Sequence, residues 1–187
     1  MRLIYLALIA AAQFFLATTS FAIAQSWKIV PENSSIVFKA TQNGAPVTGS
    51  FGKFSGSINF DPAQLNDSKV DIVIDMNSIS TSYSDLTDTL KTAEWFNVKV
   101  FPQASFNACK FTKTGDNQYQ ADGTLTIRDK SQPVKLTFTL TITGEKAEAV
   151  GNTTLTRTAF GVGQGEWSSL DEIKDEVMIN FRVNAVK

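Results

Sequence analysis

The chain has 187 residues, of which 43% are hydrophobic and 19% are charged, and its formal net charge is −1. This length favours a single domain, and the near-zero net charge provides no basic surface for the phosphates of a nucleic acid. With no histidine and one cysteine, the chain cannot form a histidine-based catalytic triad, a histidine metal site or an internal disulfide. We therefore predict no enzyme activity, no catalytic residues, no metal and no nucleic-acid partner.

The first 24 residues have the pattern of a secretory signal peptide. Arg2 precedes a nearly unbroken apolar stretch from Leu3 to Ala17, and small residues end the segment at Ala24. A basic start, an apolar middle and an A-x-A end are typical of such peptides. The apolar stretch is shorter than the roughly 20 residues of a transmembrane helix. We predict a signal peptide at 1–24 and an exported, periplasmic domain at 25–187.

The rest of the chain alternates apolar and polar residues. Leu136, Phe138, Leu140 and Ile142, for example, alternate with threonines. A period of two predicts a β-strand with one buried face. The same pattern predicts eight main strands and a short extra segment; the main strands are 35–42, 46–60, 69–79, 104–114, 117–128, 133–143, 147–159 and 176–186, and the extra segment is 27–30.

Two segments depart from this alternation. Leu86, Leu90 and Ala93 recur at helical spacing within 82–96, which predicts a short amphipathic helix or a pair of turns. The stretch 160–175 is rich in glycine and acidic residues and is predicted to be a long loop near the mouth of a barrel.

Eight mostly antiparallel strands are typical of a sandwich or of a closed up-and-down barrel. Gly49, Gly52 and Gly56 lie within the second strand, where they indicate the bends of a strongly coiled barrel strand. An eight-stranded barrel has room for packed side chains or for one small ligand. Composition alone leaves both interiors open, within an all-β fold.

Two further features have plain interpretations. Cys109 lies in an apolar-rich run and is expected to be a small buried side chain. Asp71 and Asp75 are a carboxylate pair of the kind that acid–base catalysis uses. Because both fall on the polar face of one strand, we expect them to face solvent.

Six blocks of the sequence, taken in order, resemble the YceI-like family. The resemblance extends over nearly all of 25–187. The blocks are W-K-I-V-P-E-N-S-S-I-V-F (27–38), G-S-F-G-K-F-S-G-S-I-N-F-D-P (49–62), V-D-I-V-I-D-M-N-S-I-S-T (70–81), L-K-T-A-E-W-F-N-V-K-V-F-P-Q-A-S-F (90–106), G-T-L-T-I-R-D-K-S-Q-P-V-K-L (123–136) and L-T-R-T-A-F-G-V-G (155–163).

The resemblance implies an extended, lipocalin-like, eight-stranded antiparallel barrel with a short helix over one end. It implies an apolar tunnel that binds a polyisoprenoid, an isoprenoid quinone or a similar amphiphile, with no other cofactor. It also implies a periplasmic protein that forms a homodimer. The W-F pair and the G-V-G-Q-G-E-W segment look closest to members associated with membrane b-type cytochromes, which implies such a cytochrome as a partner. The alternatives are an interaction barrel with a filled core and a stress protein that sequesters lipophilic compounds.

The apolar strand faces and the resemblance together predict the ligand-binding residues. The tunnel wall is predicted to consist of Phe38, Phe51, Phe54, Ile72, Ile74, Leu86, Leu90, Trp95, Phe96, Phe106, Leu125, Ile127, Leu136, Phe138, Leu140, Phe160, Trp167 and Phe181. Trp95, Phe96 and Trp167 are placed at the mouth, where an amphipathic ring suits a wet boundary. Arg157 is the candidate contact for a polar headgroup, and its alternative role is a buried or rim ion pair.

Overall fold

The fold is known from a computed structural model that describes residues 25–187. The predicted signal peptide lies outside the described residues. Among residues 25–187, no helix has the length and apolarity needed to cross a membrane.

Antiparallel strands form a closed barrel around one interior. Eleven segments make one sheet, and both β1 and β2 pair with β11, which closes the sheet on itself. The segments are β1 Ser26–Ile29, β2 Ser35–Gln42, β3 Ala45–Phe51, β4 Phe54–Asn59, β5 Lys69–Asp75, β6 Ile79–Thr81, β7 Gln103–Lys113, β8 Gln118–Ile127, β9 Lys130–Thr143, β10 Lys146–Thr156 and β11 Glu176–Val186.

The eleven segments correspond to eight barrel strands, because the first three strands are each interrupted once. β1 pairs with β4 while β2 pairs with β3, and β4 pairs with β5 while β3 pairs with β6. Each of the pairs β1 and β2, β3 and β4, and β5 and β6 therefore continues one strand. The predicted all-β, eight-stranded antiparallel barrel is confirmed.

The break between β3 and β4 divides the strand predicted at 46–60. It lies at Gly52 and Lys53, whose backbone N–H groups donate to the carbonyl and the hydroxyl oxygen of Ser78 at 3.1 and 3.0 Å. Ser78 belongs to a 3₁₀ turn that separates β5 from β6, and the Asp75 carboxylate caps this turn by accepting from the Asn77 N–H at 2.9 Å. The break between β3 and β4 and the break between β5 and β6 are therefore adjacent, and hydrogen bonds between them satisfy backbone N–H groups that the strands leave unpaired.

The connections at one end of the barrel, which we call the helix end, carry most of the irregular structure. They are the β2–β3 turn, the segment that contains helix α1 (Ser84–Lys91), the β8–β9 turn and the loop 157–175. The loop pairs with the tip of the β2–β3 hairpin, because the Asn43 N–H donates to the Glu172 carbonyl at 2.6 Å and the Lys174 N–H to the Thr41 carbonyl at 3.0 Å. The predicted helix and long loop therefore lie at the same end.

An aromatic cluster packs inside the opposite end. The Phe60 ring lies 5.2 Å from that of Phe111, 5.6 Å from that of Tyr119 and 6.1 Å from that of Phe138, measured between ring centroids. The Trp27 indole N–H donates to the Phe60 carbonyl at 2.9 Å. This cluster anchors the 60–68 connection to the barrel.

Cys109 is exposed, so the expectation of a buried thiol was wrong. The register between β7 and β8 shifts between Ala108 and Lys110, which leaves Cys109 as the extra residue of a β-bulge. Ala108 and Phe111 point inward on either side of it. A bulge changes which face each following residue occupies, and the surrounding sequence contains no glycine or proline to reveal it.

Because Cys109 is exposed, we expect a thiol reagent to modify one equivalent of the native protein. The rate of modification is expected to lie within a few-fold of the rate in denaturant, since no part of the barrel must open. The measurement is the absorbance of the released chromophore after addition of an aromatic disulfide. Modification only in denaturant would show that the bulge buries the thiol.

Candidate functional site

An apolar cavity of about 490 Å³ lies inside the barrel. Small-molecule pockets have volumes of about 300–1,000 Å³, so this cavity has the size of a ligand site. Inward-facing residues from strands all round the barrel line it, together with residues of α1 and of the loop 157–175. The wall runs from the aromatic cluster at one end to α1 at the other.

Every residue predicted for the tunnel wall lies in the wall of this cavity, and their contact with a ligand stays a prediction. The eighteen residues are Phe38, Phe51, Phe54, Ile72, Ile74, Leu86, Leu90, Trp95, Phe96, Phe106, Leu125, Ile127, Leu136, Phe138, Leu140, Phe160, Trp167 and Phe181.

The cavity distinguishes this interior from a filled core. Ile72, Ile74, Ile179 and Phe181 point inward from β5 and β11, yet they are only half-buried. Protein cores are packed to the density of organic crystals, and inward side chains in such a core retain little accessible surface. The surface that these residues retain faces the unfilled space.

Small inward residues, which the sequence analysis did not select, explain the unfilled space. They share the inward register of the larger residues, so the same alternation could have found them. They are Ala40, Ala104, Ala121, Ala147, Ala149 and Ala185. Larger lining residues that the analysis also missed include Trp27, Ile36, Val47, Ile58, Phe60, Val70, Val134, Leu155, Val177 and Val183.

Glycines widen the cavity by letting phenylalanine rings lie close to the wall. The Phe38 ring covers Gly49, the Phe106 ring covers Gly123, and two further phenylalanine side chains cover Gly151. A Cβ atom on any of these glycines would come closer than 3.0 Å to ring or side-chain atoms. The role predicted for Gly49 as a bend therefore needs correction, because this glycine makes room for the Phe38 ring and for the Ser80 carbonyl oxygen of β6.

Hydrogen bonds fasten the loop 157–175 to the segment that follows α1. The Glu94 carbonyl accepts from the backbone N–H groups of Gly163 and Gln164 at 2.9 and 2.8 Å. The Glu94 carboxylate accepts from the Trp167 indole at 2.9 Å, and the Trp167 ring lies 5.8 Å from that of Trp95. The two tryptophans predicted at the mouth therefore meet at the helix end.

The Trp95 indole nitrogen is buried and has no hydrogen-bond partner within residues 25–187. Trp95 also lines the cavity. Most buried donors in native proteins have a partner, and leaving one unpaired costs about 1–3 kcal/mol. An acceptor oxygen that reached this nitrogen would remove the cost.

Arg157 is buried with 4% of its surface exposed, and all five of its N–H groups are used. They donate to backbone carbonyls at 3.0–3.3 Å, which belong to Val162, Gly163, Ser169, Ile173 and Lys174. A guanidinium group has five donors in a fixed fork. One side chain therefore joins both arms of the loop 157–175.

This arrangement leaves no Arg157 donor for a headgroup. Burial lowers the pKa of the guanidinium, and the charge of nearby Asp175 partly opposes that shift, but an arginine remains charged at neutral pH. Within residues 25–187 it forms no ion pair. Instead of the predicted headgroup contact or ion pair, Arg157 stabilises the loop.

Asp71 and Asp75 do not face the cavity. Val70, Ile72 and Ile74 of the same strand line it, so the alternate positions point outward. The pKa of Asp71 is lowered by hydrogen bonds from Lys69 and Asn107, at 2.9 and 2.7 Å. A carboxyl group whose pKa is lowered is a poor general acid at neutral pH, which disfavours the acid–base interpretation of this pair.

Residues 27–185 match the YceI-like domain. The chain belongs to the YceI-like family. A UPF0312 protein of Pectobacterium atrosepticum is 34% identical over 124 residues, which cover 65% of this chain and 64% of that protein. The match to this YceI-like relative thus spans slightly less than two thirds of its length.

Solved structures share the barrel. BcnA of Burkholderia cenocepacia is 31% identical with a TM-score of 0.81, over 84% of this chain and 99% of that one. A polyisoprenoid-binding domain from Saccharophagus degradans is 13% identical with a TM-score of 0.69, over 88% of this chain and 99% of that one. The second likeness shows a common fold.

Proposed function

We propose that this YceI-like protein is a non-catalytic carrier that holds a polyisoprenoid, an isoprenoid quinone or a similar amphiphile inside its barrel. The observation that carries the proposal is the apolar cavity of about 490 Å³. Its wall is formed almost entirely by aliphatic and aromatic side chains, with few polar groups to orient a polar substrate. Such a cavity suits a ligand that is recognised by its hydrocarbon.

The energetics of burial support this proposal. Each buried CH₂ group contributes about 0.8 kcal/mol. Ten such groups contribute about 8 kcal/mol, which corresponds to a dissociation constant near 1 μM. A prenyl chain therefore needs no dedicated polar contact for useful affinity, and the use of every Arg157 donor by the loop does not weaken the proposal.

The cavity favours a carrier over an interaction barrel with a filled core. Sequestration of lipophilic compounds under stress would use the same cavity and differs only in the ligand. The Saccharophagus degradans domain of the same fold is described as polyisoprenoid-binding, which supports the prenyl class. Export to the periplasm after cleavage behind Ala24, homodimer formation and a membrane cytochrome partner stay predictions.

The test is mass spectrometry of an organic extract. The protein is expressed with its own first 24 residues, purified without detergent and extracted; fractions from cells that lack the protein serve as the control. We expect a prenyl lipid or prenyl quinone at close to one equivalent per chain. Its mass would give the chain length.

Other outcomes would change the conclusion. A fatty acid or fatty amide at one equivalent would support the carrier function but would show that the ligand is not a quinone. The carrier proposal would be abandoned if no lipid were extracted and added prenyl quinone also failed to bind. The interaction barrel would then be the better explanation.

A further inference from the structure

Most polar side chains in the cavity wall lie at the helix end. Thr41 and Gln42 come from the end of β2, and Asp85 and Thr89 from α1. Two other polar residues of the described part of the chain, residues 25–187, line the cavity. One of them is Thr153, within the wall of β10, and the other is Arg157, whose donors are all used by the loop. The helix end is therefore where the wall can contact the polar part of a ligand.

The cavity reaches solvent beside these residues. Asp85 is exposed and also lines the cavity. Among the lining residues within 25–187, the other exposed one is Ile142, near the β9–β10 turn at the opposite end. The lining residues around Ile142, which include Ala147 and Val183, are apolar. An amphiphile therefore has a favourable direction, with its tail toward Ile142 and its head beside α1.

Asp85 is the charged group that this rim presents to a ligand. Its carboxylate receives one hydrogen bond, from the Ser84 hydroxyl at 3.3 Å, and within residues 25–187 it forms no ion pair. It lies in the first turn of α1, where a carboxylate offsets the partial positive charge of a helix N-terminus. That helix end is consequently unsuited to an anion.

The neighbouring positive charges offer an anion no free donor at the cavity wall, because the charged Arg157, which does line the cavity, has all five N–H groups held by carbonyls of the loop. Lys174 lies in the loop 157–175 beside Thr41, but its ammonium group donates to the Leu170 carbonyl at 3.3 Å. Lys39 is exposed, next to the inward Phe38 and Ala40 on β2, and Lys91 lies in the last turn of α1. None of these three lysines lines the cavity, and Asp88 adds a second carboxylate to α1.

We infer that the rim formed by Thr41, Gln42, Asp85 and Thr89 selects amphiphiles with an uncharged head, such as a prenyl alcohol or a prenyl quinone, and disfavours those with a phosphate or carboxylate head. The Gln42 amide can donate to and accept from a neutral head, and Asp85 can accept from a hydroxyl group. An anionic head would meet the Asp85 charge instead. This inference rests on the proposed function, because it concerns the head of the same ligand.

The test compares geranylgeraniol with geranylgeranyl phosphate, which have the same tail. Dissociation constants are measured by quenching of tryptophan fluorescence at low ionic strength, and the phosphate-to-alcohol ratio is calculated for each variant. The different aqueous solubilities of the two ligands cancel when ratios are compared between variants. The variants are Asp85→Asn and Asp85→Lys, with Asp88→Asn and Asp88→Lys as matched controls on the same helix.

We expect the ratio to fall about fivefold or more in Asp85→Asn, since two unit charges about 4 Å apart in water interact by an energy equivalent to this factor and a phosphate monoester carries more than one negative charge near pH 7. It should fall further in Asp85→Lys and change less than twofold in either Asp88 variant. Equal ratios in the wild type and both Asp85 variants would overturn the inference while leaving the carrier intact. If neither ligand bound any variant, the proposed function itself would fail. Thermal unfolding of each variant checks that α1 and the barrel remain folded.

Discussion

Replacing Arg157 with alanine is expected to lower the free energy of unfolding by about 3–5 kcal/mol, because the change removes five hydrogen bonds from a charged donor and leaves buried carbonyls without partners. Arg157 is 4% exposed and donates to the Val162 carbonyl near the start of the loop 157–175 and to the Lys174 carbonyl near its end. For a domain of this size the loss corresponds to a melting temperature lower by roughly 10 °C. Urea denaturation followed by circular dichroism measures the change.

Arg182 provides the control for this prediction. It lies exposed on the outer face of β11 and pairs with Glu148. Exposed ion pairs contribute about 0–1 kcal/mol, so Arg182→Ala should have a small effect. Arg157→Lys keeps the charge with fewer donors and should fall between the two. Equal losses for Arg157→Ala and Arg182→Ala would contradict the structural role of Arg157.

Replacing Ala149 with tryptophan is expected to weaken prenyl ligand binding at least a hundredfold without unfolding the barrel. Ala149 lines the cavity from β10, opposite Leu140 and Val183 of the adjacent strands. An indole ring there would fill the middle of the cavity and displace the hydrocarbon chain of the ligand. Losing about four buried CH₂ groups costs about 3 kcal/mol, which is more than a hundredfold in affinity. Titration with a prenyl quinone measures the effect.

Val150→Trp is the matched control, since Val150 is the next residue and is 38% exposed on the outside of the barrel. The Val150→Trp variant carries the same added ring on the same strand but outside the cavity, so it should bind the prenyl quinone with unchanged affinity. Circular dichroism of both variants would verify that the strands form. If Ala149→Trp bound as tightly as the wild type, the ligand would have to lie elsewhere on the protein.

The strand pattern was largely predictable from the sequence. β2 and β11 have the predicted bounds, and most other ends differ by a few residues. The break at Gly52 falls at one of the glycines predicted to bend the strand, whereas the break at the 3₁₀ turn Met76–Ser78 was not predicted. A broken strand keeps its apolar alternation on either side, so the hydrogen bonds that define the break leave little trace in the residue pattern.

The cavity wall was predictable in part. Large apolar residues and the family resemblance identified eighteen lining positions; the alanines share the inward alternation, but alternation alone does not show whether an inward alanine faces a cavity or close packing. Whether Arg157 has a donor free for a headgroup depends on five carbonyls that only the folded loop brings together. The exposure of Cys109 depended on a one-residue bulge. The contacts of Arg157 and the exposure of Cys109 both depend on how distant parts of the chain meet in the fold, which the local sequence does not encode.

The rings that lie over Gly49, Gly123 and Gly151 imply that the internal width of the barrel depends on which strand positions are glycine. A single methyl group at one of these positions would turn a phenylalanine ring away from the wall and into the lumen. It would also come within 3.0 Å of a backbone carbonyl oxygen on a neighbouring strand, so the strand pairing would have to shift as well. An engineer who wished to change the width of the guest would therefore replace the phenylalanine rings and leave the three glycines in place.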